Sequence, residues 1–203
     1  MSLVSKILLA PGIISAGEVY DDPEGIYVYG IAKNPRLEGG REGQYVCYST
    51  QKVDMRVIYP YEEGKFIQWE TPDFSGGKGK TYIDIPMGFG TGWIRPNMKC
   101  DYDLYIDGNK YVTFGCVTDE TRTWEGTGGV RLAYYALFKD GVGEPHGRML
   151  LELPPGFKRE ESYLALKVTP AKGSEGNAWF MLHVGARYAG NDLGEWIKQR
   201  NWK

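Results

Sequence analysis

Two tryptophans stand apart from the apolar runs of this chain. Trp93 lies in GTGWIRPN and Trp124 in TRTWEGTGG, each among glycines, threonines and charged groups. An apolar ring in such a segment either plugs the end of a β-fold or faces a ligand. Sugar rings have apolar CH faces and hydroxyl edges. They are held by flat aromatic surfaces together with planar donors, which Arg95 and Asn97 supply beside Trp93. Trp93, Arg95, Asn97 and Trp124 are therefore the candidate carbohydrate-binding residues. Trp69 and Trp179 sit inside strand-like runs and are expected in the core.

Other reactive groups give weaker patterns. His146 lies near Glu144 and Arg148 in what reads as a turn. With Tyr134 or Tyr135 as acid, His146 as base and Arg148 as charge stabiliser, a polysaccharide lyase or glycoside hydrolase is the alternative function. His183 alternates with Leu182 and Val184 and reads as structural. Asp101, Asp103 and Asp107 fail the calcium-loop pattern because Tyr105 takes the third position, so they read as solvent-facing carboxylates. Glu18 and Asp21 allow a structural Ca²⁺ without requiring one, and no other cofactor is expected. There is no His-Glu-x-x-His, no phosphate loop at GGKGK and no Gly-x-Ser-x-Gly elbow. Cys47, Cys100 and Cys116 have neither the count of a disulfide framework nor zinc-ligand spacing, so metal-dependent catalysis is not expected. Buried free thiols are the default, with a Cys100–Cys116 bridge as the alternative.

The formal net charge of -2 over 203 residues gives no electrostatic case for a nucleic-acid partner. No run approaches the roughly 20 apolar residues of a membrane-crossing helix. Pro11 and Gly12 interrupt the apolar start of MSLVSKILLAPGIIS, which makes it a poor signal peptide. An extracytoplasmic location follows only if the chain is a module of a secreted enzyme. The sequence is silent on oligomeric state.

The elements that must position these residues are strands. There are 28 Gly and 15 Tyr, and short period-2 runs alternate with turn clusters from Ile26 to Val184. Only the tail, Asp192 to Trp202, has a helical pattern. Residues 34–43, 87–99 and 118–129 read as loops. The clearest element is a hairpin in DYDLYIDGNKYVTF. A three-residue loop, Asp107 to Asn109, would pair Leu104 with Val112 and Tyr102 with Phe114 and gather the apolar side chains on one face. A two-residue loop would oppose Leu104 with Tyr111, and a one-residue slip inverts every side chain. The expectation is an all-β, two-sheet antiparallel sandwich of jelly-roll type, as one domain over residues 1–203.

From Trp69 to His183 the chain resembles the galactose-binding-like β-sandwich modules of carbohydrate-active enzymes. WETPDFSGGKGKTYIDI, DYDLYIDGNKYVTF, GGVRLAYYALFKDGVGEPHGRMLLELP and AWFMLHV carry the likeness. It implies a jelly roll and, by analogy, a non-catalytic module whose partner is a glycan bound at loops on one rim. A third reading is an interaction domain with no small ligand. If the first is right, the 87–99 and 118–129 loops form the rim, because a hairpin brings its two outer ends together.

Overall fold

A computed structural model describes residues 18–22, 25–29, 37–47, 51–74, 79–90, 98–116, 122–139, 145–157 and 162–184. Within these residues the protein is all-β, and two sheets pack face to face as a sandwich. The first strands are β1 (Glu18–Asp22), β2 (Gly25–Tyr29), β3 (Glu38–Gly39), β4 (Arg41–Cys47), β5 (Gln51–Ile58), β6 (Ile67–Glu70) and β7 (Lys80–Phe89). They are followed by β8 (Asp101–Ile106), β9 (Asn109–Gly115), β10 (Arg122–Glu125), β11 (Arg131–Lys139), β12 (Pro145–Leu153), β13 (Ala165–Pro170) and β14 (Phe180–Val184). The larger sheet runs β10-β11-β12-β7-β14-β5-β4, and the smaller runs β3-β6-β13-β8-β9. The only helical turn among the described residues is a 3-10 turn at Thr127–Gly129. The expected tail helix lies outside the described residues.

Strand β7 organises the larger sheet. One edge pairs with β12 along nearly its whole length, from Thr81↔Leu153 to Gly88↔His146. The other edge is shared. Its first half pairs with β2, in parallel, as far as Asp84, and its last residues pair with β14 from Met87 onward. Pro86, which has no N–H to give a ladder, falls in the gap between those two partners. Ile83, Ile85, Met87 and Phe89 face the smaller sheet and join the core. The opposite side chains are also buried: Asp84, Met181, Leu150 and Ala133 are all at most 2% exposed. A strand covered on both faces loses polar/apolar alternation. The strand pattern therefore fades at Met87 in the sequence, whereas β7 continues to Phe89 and the expected loop at 87–99 begins three residues later, at Gly90.

The hairpin shows both candidate registers, joined by a bulge. Its tip is a two-residue turn in which Asp107 and Gly108 have φ of 48° and 81°, the signature of Asp-Gly in a tight hairpin. Tyr105 therefore opposes Lys110, and the register then shifts so that Leu104 meets Val112 and Tyr102 meets Phe114. The expected three-residue loop is absent, yet the expected apolar pairing is kept. The core imposes the pairing, and the bulge absorbs the extra residue.

Several local expectations are corrected. Residues 38–39 and 41–43 are strand rather than loop, and so are residues 122–125. His146 lies in β12 opposite Phe138, not in a turn. Asp103 is only 7% exposed, held beneath Lys110 at 2.7 Å and accepting from Thr113 at 2.6 Å, so it is not a solvent-facing carboxylate. Trp69, at 1% exposure, is in the core as expected.

Candidate functional site

The end of β5 begins the site. After Ile58 the chain enters a turn at Tyr59-Pro60-Tyr61-Glu62. Glu62 N–H donates to the Tyr59 carbonyl at 3.1 Å, and the Tyr59 N–H donates to the Glu62 carboxylate at 3.0 Å. This reciprocal closure fixes two tyrosines at the sheet margin. Pro60 between them is buried, whereas Tyr61 is 51% exposed. The second Glu62 oxygen accepts from Arg41 Nη2 at 2.5 Å, and the guanidinium lies 5.0 Å from the Tyr59 ring centre. The Glu62 hydrogen bond, and then its negative charge, hold Arg41 above its ordinary pKa.

β14 supplies the third ring. Trp179 precedes Phe180, which pairs with Ile58 on one side and Phe89 on the other. Trp179 is thus flanked by Tyr59 and Gly90. The ring centres of Tyr59 and Trp179 are 5.5 Å apart, and those of Tyr59 and Tyr61 are 5.2 Å apart. Gly90 donates its N–H to the Trp179 carbonyl at 2.7 Å. A methyl built at Gly90 would stand 1.7 Å from Trp179 Cε2, so the indole lies over the space where a side chain would be. Gly90→Ala is expected to displace the indole at a cost of about 1–3 kcal/mol. Near-ultraviolet circular dichroism would show it as a loss of tryptophan signal without loss of the far-ultraviolet β spectrum.

Tyr102 holds this row from below. It belongs to the smaller sheet and is fully buried, yet its hydroxyl crosses the core. The oxygen lies 2.8 Å from the Ala178 carbonyl and 3.1 Å from the Ile58 carbonyl, and it accepts from the Phe180 N–H at 3.0 Å. Those three groups belong to the neighbours of Tyr59 and Trp179. Burial pushes the Tyr102 phenol well above its ordinary pKa, so it remains a neutral donor.

The residues singled out in the sequence are not gathered into one described cluster. Trp93, Arg95 and Asn97 lie outside the described residues. The segment that carries them leaves from Gly90, under Trp179, and rejoins at Lys99, whose carbonyl accepts from Glu175 and Gly176 N–H at 3.0 and 3.2 Å. Both anchors therefore sit on the stretch leading into Trp179. Trp124 is half-buried in β10, its ring edge-on to Phe114 at 5.9 Å, where it packs against the core between β9 and β10. Four inter-strand spacings separate β10 from β14, roughly 20 Å, so Trp124 and Trp179 belong to different places.

Three members of the alternative catalytic set do not face solvent. Tyr134 is 0%, Arg148 1% and Tyr135 6% exposed. Arg148 donates from Nε to Asp84 at 2.8 Å and from Nη2 to the second Asp84 oxygen. His183 is likewise fully buried. Cys100 and Cys116 are free thiols. Glu18 and Asp21 lie in β1 opposite Tyr29 and Ile26, and no group of three or more metal-ligating side chains occurs among the described residues.

Sequence reasoning missed Tyr59, Tyr61, Arg41 and Glu62, and assigned Trp179 to the core. The signal was present. Tyr-Pro-Tyr-Glu-Glu-Gly sets aromatic rings among turn residues, which is the pattern that picked out Trp93 and Trp124. Compared with family models, curated proteins and solved structures, the chain matches none.

Proposed function

We propose that the protein is a non-catalytic carbohydrate-binding module whose contact surface is the row Tyr61, Tyr59 and Trp179, edged by Arg41 and Glu62. One observation carries this reading. Three aromatic rings, centred 5.2 and 5.5 Å apart, form a row at the sheet margin, Tyr61 exposed and Tyr59 and Trp179 half-buried, with a guanidinium and a carboxylate beside it. An exposed ring continuous with two half-buried ones makes an apolar surface patch, and such patches serve as interaction surfaces. Aromatic faces match the CH faces of sugars, while Arg41 donates and Glu62 accepts at the hydroxyl edges. The resemblance of residues 69–183 to galactose-binding-like modules points the same way, by analogy of fold.

The test is tryptophan fluorescence during titration with oligosaccharides of five or more sugars. Binding is expected to shift the emission of the parent, and Trp179→Phe is expected to abolish most of that shift. Tyr61→Ala is expected to weaken binding by about 1 kcal/mol or more, several-fold in Kd, because it removes one stacking ring. Its stability should stay within about 0.5 kcal/mol of the parent, since Tyr61 is largely exposed. Unchanged emission in the parent with every sugar would remove the proposal.

A further inference from the structure

Resting on that reading, we infer that the ligand is a single, soluble, uncharged glycan chain, not the face of a crystalline polysaccharide and not an acidic polymer. The rings do not share a plane. Tyr61 is tilted 32° to Tyr59, and Tyr59 is tilted 49° to Trp179. A crystalline polysaccharide presents its sugars in one plane. On such a plane only one of these rings lies flat, and the others touch by an edge. Dispersion contact falls away within an ångström of separation, so the tilted rings forfeit much of their attraction. A chain free in solution turns about its glycosidic bonds. Each sugar can then meet its own ring.

Charge also selects the ligand. The cation that lies over the row, Arg41, is matched. Arg41 is 2.5 Å from Glu62, and Lys99, on the stretch beneath Trp179, is 3.9 Å from Asp101. A uronate or sulfate approaching Arg41 meets the Glu62 carboxylate at the same time, and attraction and repulsion offset. A pair of neighbouring hydroxyls has no such conflict. One hydroxyl accepts from the guanidinium and the other donates to the carboxylate, because a hydroxyl does both. The pair therefore selects for neutral sugars, and the binding it supports does not depend on salt.

The experiment is affinity electrophoresis of the full chain through mixed-linkage glucan, galactomannan, arabinan, polygalacturonate and alginate. It is run at low and at moderate ionic strength, with depletion assays on microcrystalline cellulose and chitin, for the parent and for Tyr61→Ala. The expected result is retardation by at least one neutral soluble polymer, about tenfold stronger than by either acidic polymer and equal at both salt levels. No depletion by the solids is expected, and Tyr61→Ala should lose the retardation. Depletion by a crystalline solid, or preference for an acidic polymer that weakens with salt, overturns this inference. If either is abolished in Tyr61→Ala, the binding row still stands. A parent that binds nothing in the panel overturns both.

Discussion

Replacing Asp84 by Ala is expected to destabilise the protein by about 3–5 kcal/mol. Asp84 and Arg148 lie in adjacent strands of the larger sheet, on the face turned away from the smaller one, and their side chains are 2% and 1% exposed. Two parallel hydrogen bonds join them. Their mutual attraction in this dry setting offsets the cost of taking both ions out of water. Asp84→Ala removes one ion and leaves the buried guanidinium without its carboxylate. The loss is a fifth or more of the roughly 5–15 kcal/mol that holds an ordinary domain folded. The double variant Asp84→Leu, Arg148→Met is expected to recover most of it, because an apolar pair of similar volume carries no desolvation cost. Urea unfolding of the parent, both single variants and the double variant checks this. A midpoint for Asp84→Ala close to that of the parent would mean that the pair contributes nothing.

Tyr102→Phe is expected to cost about 2–3 kcal/mol although it deletes one oxygen. The hydroxyl serves the Ala178 and Ile58 carbonyls and the Phe180 N–H in the centre of the molecule, so its removal leaves buried backbone groups without that partner. The effect reaches the surface, since those groups flank Tyr59 and Trp179. A looser row should bind glycan several-fold more weakly with none of its rings altered. A control of equal stability loss far from the row, Leu166→Ala, should leave affinity unchanged. Tyr102 also sets a pH dependence. Its folded-state pKa is raised by burial, so between the ordinary tyrosine pKa and the raised one the native state holds a proton that the unfolded chain has lost. Its contribution is fully present below about pH 10 and is lost as pH rises further. Thermal unfolding scanned from pH 8 upward should show this decline in the parent and a shallower one in Tyr102→Phe. Parallel declines would exclude Tyr102 as its source.

Much of the fold was legible because local patterns agree with global burial. Leu104, Val112, Tyr102 and Phe114 could be paired from the sequence, since only that pairing puts four apolar side chains on one face. The bulge that achieves it was not legible: the Asp-Gly turn and the core want registers one residue apart, and only the assembled hairpin shows how both are met. Residues 122–125 read as loop because Arg122, Thr123 and Glu125 are polar, and a short edge strand carries little apolar pattern. The Asp84–Arg148 pair spans 64 residues, and nothing in either segment refers to the other. Trp179 shows the limit most clearly. AWFMLHV reads as a core strand, and Phe180 and Leu182 are indeed in the core. The residue before them is only half-buried, its ring lying over Gly90 at the end of β7, a contact set by strand order.

The central claim is that binding resides on the Tyr61–Tyr59–Trp179 row and not at Trp124. Calorimetric titration of Tyr61→Ala and Trp124→Ala with a soluble neutral oligosaccharide, beside thermal unfolding of each, tests it most directly. Trp124 packs on Phe114 and closes one side of the core. Trp124→Ala should therefore lose stability and keep the parent's affinity, while Tyr61→Ala should keep stability and lose affinity. The reverse pattern, with Tyr61→Ala binding as the parent does and Trp124→Ala binding nothing while melting normally, would contradict the account.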